Sequence, residues 1–314
     1  MKNKNIFVTG GAGIIGQSLV RLLKQENTKI LVADLKKKPQ DFGEGVSYRE
    51  GDLNNMSVEE FKEFNPDIVF HLAAVYERSE ESEKHFDSNY HNNVNLTHKI
   101  FSLCKDSVKP LRVINCSSYL VYDKAQYEFP IEEETAATSL LKETAQIRPR
   151  NLTGMAKLMS EMELGFINNF SGIISGLSAR IYRGYGYNSR DIISRWIRSF
   201  IRKEEPVLYN EDGSFDFIFC DETAEGLLKL ANSNYEGIVN LGTGNSHKIK
   251  HVYDYIANAF SYKKNIISKN IGQIEKSGAD LTLLRTVIDY NNGDNIWSNI
   301  DKLISHERQM FSER

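Results

Sequence analysis

The chain has 314 residues, 40% of them hydrophobic, with 39 Lys and Arg against 42 Asp and Glu and a formal net charge of -3. That length suits a large α/β domain carrying a smaller one, and the charge balance excludes the basic excess of a nucleic-acid or anionic-membrane binder. Cys104, Cys116 and Cys220 lack the spacing of a disulfide framework or a thiolate metal site, which points to a reducing compartment, the cytoplasm.

The N-terminal run MKNKNIFVTGG has too short an apolar part for a signal peptide, and no later apolar run reaches membrane-spanning length. Neither export nor membrane insertion is therefore expected. In chain order, NIFVT (5–9) reads as a strand, residues 14–25 as a helix, and KILVAD (29–34), VSYRE (46–50) and DIVFHLAA (67–74) as further strands. The acidic stretch 77–83 reads as a solvated loop. A long segment of helical periodicity then runs to Leu103, and RVINCSS (112–118) is the next strand. His85, His91 and His98 fall on that polar helix without metal-ligand spacing, so no metal is expected. After IISGLSARIY (173–182) the signals become less regular through DFIF (216–219), residues 222–231 and IVNLGTG (238–244), where a smaller domain is placed. Strands alternating with helices, and apolar almost throughout, predict an α/β Rossmann fold, a doubly wound parallel sheet. Residues 1–180 are assigned to the dinucleotide-binding domain and 181–314 mainly to a substrate-binding domain, with some strands and helices returning to the first.

The strongest local signal runs from Thr9 to Gly16, T-G-G-A-G-I-I-G, directly after the first strand. Gly10 allows the tight turn, Gly13 lets backbone approach a pyrophosphate, and Gly16 lets helix pack on strand. Ile14 and Ile15 open the helix whose N-terminus would hold the pyrophosphate. Asp34, at the end of the second strand, would bind the adenosine ribose hydroxyls and repel a 2′-phosphate, favouring NAD. Lys36, Lys37 and Lys38 keep NADP open as a second reading.

Further stretches follow in order: Gly51-Asp52-Leu53, His71-Leu72-Ala73-Ala74, Ser117-Ser118 with Tyr122, Gly154 to Glu161, and Asn240 to Gly244. With the glycine spacing they make the chain resemble, over almost its whole length, the extended short-chain dehydrogenase/reductase family, which remodels nucleotide-linked sugars. The resemblance implies that Asp52 and Leu53 lie against adenine, and Leu72, Ala73 and Ala74 against the cofactor's ribose and pyrophosphate. It also implies that Ser118 contacts the oxygen of the reacting sugar carbon. These stretches fall at the C-terminal ends of predicted parallel strands, where open α/β sheets bind ligands.

The family's Y-x-x-x-K motif here reads Thr153 to Lys157, with the lysine kept and the tyrosine replaced. Lys157 would hold the nicotinamide ribose, and Thr153 would anchor substrate or water. A threonine hydroxyl is far less acidic than a phenol and shorter in reach, so Thr153 does not inherit the general-base role. Three readings stay open. Another group carries the proton: Tyr119, Tyr76, Glu77, or a water held by Thr153 and Ser118. The chain binds NAD and sugar without fast turnover. Or Thr153 is a substitution that traps substrate.

On the substrate side, Arg183 and Arg190 are the candidate phosphate ligands, with Tyr76 and Ser118 on the sugar. Where the family carries an arginine before its D-F-I-like strand, this chain has Phe215. The resemblance implies NAD-dependent epimerisation of a nucleotide-activated sugar or sugar phosphate. Dehydration is less favoured because Tyr119 and Leu120 stand where the family's dehydratases carry acidic residues, while a ketoreductase and a binding protein of impaired catalysis remain as alternatives. It implies, too, a homodimer built on helices from residues 85–103 and 153–168.

Overall fold

The β-branched runs form strands because both of their faces find cover. Ile6 and Val8 enter one core with Leu19, Val20 and Leu227, while Phe7 between them enters another with Phe61, Val69 and Phe101. Each such side chain contributes roughly 1.5–3 kcal/mol on burial. Strands buried on both faces favour parallel neighbours joined by helices. The computed structural model describes residues 1–76, 83–132, 136–263, 267–291 and 293–312.

The chain runs β1 (Asn5–Thr9), α1 (Ile14–Leu23), β2 (Lys29–Asp34), β3 (Val46–Glu50), α2 (Val58–Phe64) and β4 (Ile68–His71). Then come α3 (Glu83–Asn89), a π-helical stretch (Tyr90–Asn95), α4 (Leu96–Lys105) and β5 (Leu111–Ser118). Two short strands, β6 (Glu128–Phe129) and β7 (Ser139–Leu141), precede α5 (Leu152–Phe170), β8 (Ile174–Ile181), β9 (Arg183–Tyr185) and α6 (Ile192–Ile201). The remainder is β10 (Val207–Tyr209), β11 (Ser214–Phe219), α7 (Cys220–Asn232), β12 (Gly237–Leu241), β13 (Ser246–Lys248), α8 (Ile249–Ala259), β14 (Ile267–Lys269), β15 (Ile274–Ala279), α9 (Thr282–Val287) and α10 (Ile296–Ser312).

Seven strands make one parallel sheet in the order β12-β8-β5-β4-β1-β2-β3. This is the doubly wound Rossmann sheet expected from the sequence. Its order reverses between β1 and β4, and in such sheets the ligand crevice opens there, at the carboxyl ends of the strands. IVNLGTG lies in the stretch where the smaller domain was placed, and it returns to the main sheet as β12. Val239, Asn240 and Leu241 are fully buried there, and β8 offers the free edge that satisfies their backbone.

Segments distant in sequence make a second sheet beside the crevice. β11 pairs with β9, β13 and β15, and β15 pairs in turn with β6 and β7. Trp196, Tyr253, Ile300 and Phe217 belong to the core that backs it. Asp216 of β11 ties the two sheets together: its buried carboxylate accepts from Thr243 N (2.8 Å), Thr243 Oγ1 (2.6 Å), Gly244 N (2.9 Å) and Ala279 N (3.1 Å). Burial alone pushes its pKa up, and these four donors oppose the shift.

Candidate active site

At the end of β1, Gly10 takes φ +70°, and a Cβ there would lie 2.6 Å from the Ala73 backbone nitrogen. Only glycine lets the loops after β1 and β4 close on each other at the switch point. Gly16 is as constrained, since a Cβ would come within 2.5 Å of the Gly10 carbonyl oxygen. Gly13 caps α1 with no side-chain hydrogen bond, so the first-turn amides of Ile14, Ile15 and Gly16 keep their donors for an anion.

The Asp34 carboxylate is oriented by two backbone donors, Ala12 N to Oδ2 and Lys36 N to Oδ1, each at 2.9 Å. Each oxygen retains a further acceptor site, as ribose hydroxyls require. Lys36 and Lys37 are exposed, and the Lys38 ammonium is engaged by the Val46 carbonyl at 2.7 Å. Asp52 caps the turn that buries Leu53 and lies 2.9 Å from His91 Nε2. Behind the cradle, Thr9 Oγ1 accepts from Ala73 N (3.2 Å) and lies 2.8 Å from His71 Nδ1. The other ring nitrogen of His71 lies 2.9 Å from Thr97 Oγ1. Burial, with the Lys157 charge adding, pushes His71 down to about 3, so the ring is neutral at physiological pH. Asn93, on the π-helical stretch, brackets the loop after β4 by accepting from Val75 N (2.8 Å) and donating to Val75 O (2.9 Å). Ala74 and Tyr76 on that loop are exposed, whereas Leu72 and Ala73 are half-buried. Glu77 lies outside the described residues.

Ser118 ends β5, its Oγ accepting from Leu120 N at 3.3 Å. The N-terminus of α5 lies on the turn that follows, because Gly154 offers no Cβ to strike the Leu120 carbonyl. Asn151 caps this helix through Gly154 N at 2.8 Å. Thr153, Lys157 and Glu161 then succeed one another at one-turn intervals on one face. Thr153 is buried, and its Oγ1 has no hydrogen-bond partner among the described residues. Lys157 is half-buried and its ammonium makes no hydrogen bond or ion pair among the described residues. Burial lowers its pKa, against the opposing pull of Cys116 and Glu161. Glu161 is engaged elsewhere: it accepts from Ser117 Oγ (2.5 Å) and from Arg180 Nε (2.9 Å) and Nη2 (2.7 Å).

Tyr119, the first candidate to replace the missing phenol, is buried and stacked on Tyr182 with ring centroids 5.2 Å apart. Burial holds its pKa well above that of a free phenol, with Arg183 opposing. It stays protonated at neutral pH and does not serve as a resting base. Arg183 sits over Phe215 (3.7 Å from the ring centroid) and donates to Glu275 Oε2 at 2.6 Å, so the guanidinium read as a phosphate ligand already carries a counter-ion. Arg190 is exposed ahead of α6 and takes no part in that cluster.

The structure thus brings the glycine turn, Asp34 and Leu72 to Ala73 together at the switch point, and Ser118, Thr153 and Lys157 beside it. Sequence reasoning missed Asn93, Arg150 and Glu275; it named Glu161 only as a flanking match, and Arg180 only within its strand. A lone arginine inside the apolar strand ISGLSARI was the available signal for Arg180, since a buried guanidinium requires a carboxylate. Among the described residues no group of three or more His, Cys, Asp or Glu could hold a metal ion, and no helix is long and apolar enough to cross a membrane.

The profile of the NAD dependent epimerase/dehydratase family matches residues 6–242. A putative UDP-glucose 4-epimerase of Methanocaldococcus jannaschii is 23% identical over 272 residues, spanning 83% of this chain and 84% of that protein. The UDP-N-acetylglucosamine 4-epimerase of Methanobrevibacter ruminantium M1, solved with UDP-N-acetylmuramic acid, superposes with a TM-score of 0.85 at 25% identity, covering 99% of this chain and 100% of the other. MoeE5, solved with UDP-glucose and NAD, does so with a TM-score of 0.83 at 25% identity over 98% and 99% of the two chains.

Proposed function

Because the chain belongs to the NAD dependent epimerase/dehydratase family, we propose that it epimerises a nucleotide-activated sugar with NAD as its resident cofactor. The observation that carries this reading is the pairing of Lys157, an ammonium without a hydrogen-bond or ion-pair partner among the described residues, with the glycine turn and the oriented Asp34 in one crevice. Each fits a different part of the dinucleotide: Gly10 to Gly16 the pyrophosphate, Asp34 the adenosine ribose, Lys157 the nicotinamide ribose. NAD supplies a reversible hydride acceptor at the sugar carbon. The chain's own residues do the positioning. Ser118 orients the sugar oxygen, and the orphaned Thr153 hydroxyl takes a substrate oxygen or a water as its hydrogen-bond partner. Asp34 sets the preference for NAD over NADP. Residues 1–180 form mainly the cofactor layer and 181–314 mainly the substrate layer, with β12 returned to the former.

The test is proton NMR of the protein with NAD and a panel of nucleotide sugars in deuterated water, in which a new sugar stereoisomer is the expected outcome. A second reading, a binder of NAD and sugar with little turnover, is favoured by one observation: Tyr119 is buried against Tyr182, which raises its pKa, and Thr153 is no base. Thr153→Tyr separates the two. It should raise turnover on the order of 10²-fold if the missing phenol limits proton transfer. If the parent turns over measurably and the variant, still binding NAD, keeps the same rate, another group already carries the proton.

Helix α5 presents Met159, Met162, Phe166 and Phe170 to solvent, beside a groove that α4 lines with Thr97, Phe101 and Ser102. We assign this apolar face to a homodimer, since a monomer seldom leaves so much contiguous apolar surface uncovered. Phe166→Glu is expected to halve the mass measured by light scattering at micromolar concentration, and an unchanged mass would place the dimer face elsewhere. The three cysteines are free and buried, which fits a reducing compartment, the cytoplasm.

A further inference from the structure

Two guanidiniums from separate segments meet on one oxygen at the carboxyl rim of the main sheet. Glu275 Oε2 accepts from Arg150 Nη1 at 2.8 Å and from Arg183 Nη2 at 2.6 Å, while Oε1 accepts from Ser277 Oγ at 2.8 Å. Arg150 immediately precedes the cap of α5, and its N–H donates to the Leu120 carbonyl, two residues beyond Ser118. Arg183 opens β9 directly after β8, in the same crevice as the candidate catalytic residues. The arginine side chains are 25% and 30% exposed, the Glu275 side chain only 7%. Both arginines are thus more exposed than the carboxylate that holds them. Arg183 is not saturated: its buried Nε has no hydrogen-bond partner among the described residues.

Converging guanidiniums are the arrangement that suits a phosphoryl group, which takes several N–H donors at once. Here the positive charge is already offset. Glu275 cancels one unit, and Glu128, 3.5 Å from Arg150 Nη2, faces the same pair from β6. An incoming phosphate cannot expel Glu275 at little cost, because the buried carboxylate would lose both of its cationic partners. Glu275 is also fixed on a strand, itself in register with Glu128, with Ile274 in register with Phe129 and Ser277 with Ser139.

We propose that Glu275 is a built-in counter-anion that weakens the hold of Arg150 and Arg183 on the phosphoryl end of the substrate, making it the specificity-determining residue of that subsite. The inference rests on the nucleotide-sugar reading above. It assigns Arg150 to the substrate site as the partner of Arg183, and it makes Glu275 a positioning residue that holds both guanidiniums while lowering their net charge. Affinity for the phosphate end is then moderate by construction, which speeds release of the epimerised product.

Calorimetric titration of uridine 5′-diphosphate and, separately, inorganic pyrophosphate into the full chain and its Glu275→Gln variant tests this, with NAD affinity and thermal midpoint measured on the same samples. Removing one negative charge within a few ångströms of the ligand should tighten both by about 10- to 100-fold. Adding Arg150→Met to Glu275→Gln should return the affinity to the wild-type level or below. Equal or weaker binding in Glu275→Gln, with NAD affinity intact, overturns the proposal. Should that variant fail to bind NAD or to fold, Glu128→Gln carries the test: tightening of about threefold or more supports the charge argument, and no tightening overturns it. Epimerisation followed by NMR in parallel keeps the two readings apart. Absent turnover with tightened pyrophosphate binding faults the function alone, and turnover with unchanged binding faults the role of Glu275 alone.

Discussion

Replacing Arg180 by methionine should lower the thermal midpoint by about 5–15 °C, corresponding to roughly 3–5 kcal/mol for a buried ion pair broken from one side. The size follows from what is left behind. Glu161 and Arg180 are 1% and 2% exposed, and the guanidinium grips the carboxylate at both oxygens. The same guanidinium donates to the Glu143 carbonyl at 3.0 Å and lies 4.8 Å over the Tyr122 ring. Tyr122 in turn donates to Asn240 at 2.7 Å, so the loss spreads from α5 to β12. Without Arg180, a carboxylate stays in the core with the Ser117 hydroxyl as its remaining hydrogen-bond donor. The double variant Arg180→Met with Glu161→Leu removes both charges and should recover most of the midpoint, as buried pairs replaced by apolar residues often do. Circular dichroism melts of the parent and the two variants decide it. If the double variant is no more stable than Arg180→Met, lost packing and not the stranded charge sets the cost.

Gly10→Val should abolish NAD binding, with a loss in affinity of at least about 100-fold. Two effects combine at this position. A side chain at φ +70° costs on the order of 1–2 kcal/mol, and its Cβ would overlap the Ala73 backbone, which cannot swing aside as a side chain can. The clash also pushes the loop after β4 away from the first turn of α1, spoiling both walls of the pyrophosphate cradle. Gly43→Ala is the matched control: it too has positive φ, +65°, but nothing lies within 4 Å of its Cβ. That variant should lose a little stability and keep its NAD affinity. Titration by cofactor fluorescence quenching compares the two, and NAD binding retained by Gly10→Val would show that the turn is not where the pyrophosphate lies.

The parts of the site that could be read from the sequence are those enforced by short-range geometry. Gly10, Gly13 and Gly16 stand at their spacing because a turn and a helix start must interlock within eight residues. Thr153 and Lys157 share a face because a helix repeats every four. Other parts depend on which distant segments meet, and no local pattern encodes that. Glu275 is a carboxylate in an unremarkable strand until Arg150 and Arg183 converge on it. Tyr119 followed a candidate catalytic serine and so suggested a proton carrier, but the stacking of Tyr182 from another strand buried it. IVNLGTG carried a clear strand signal, yet its destination depended on the free edge of β8. Asn93 was one polar residue among several in YHNNVN, and only the π-helical register aims it at Val75.

The stitching of the second sheet has a consequence for how the chain is made. Phe129 pairs with Ile274, and Ser139 with Ser277, so the earlier strands wait for partners made well over a hundred residues later. The main sheet waits as well, lacking its outer strand until Leu241 has emerged. A ribosome-bound intermediate would hold a nearly finished cofactor layer with β6 and β7 unpaired at its rim, an open edge that invites pairing with other chains. Such long-range pairing also slows folding, since loop closure precedes the contacts that stabilise it. The substrate layer is then the last to assemble on the nascent chain.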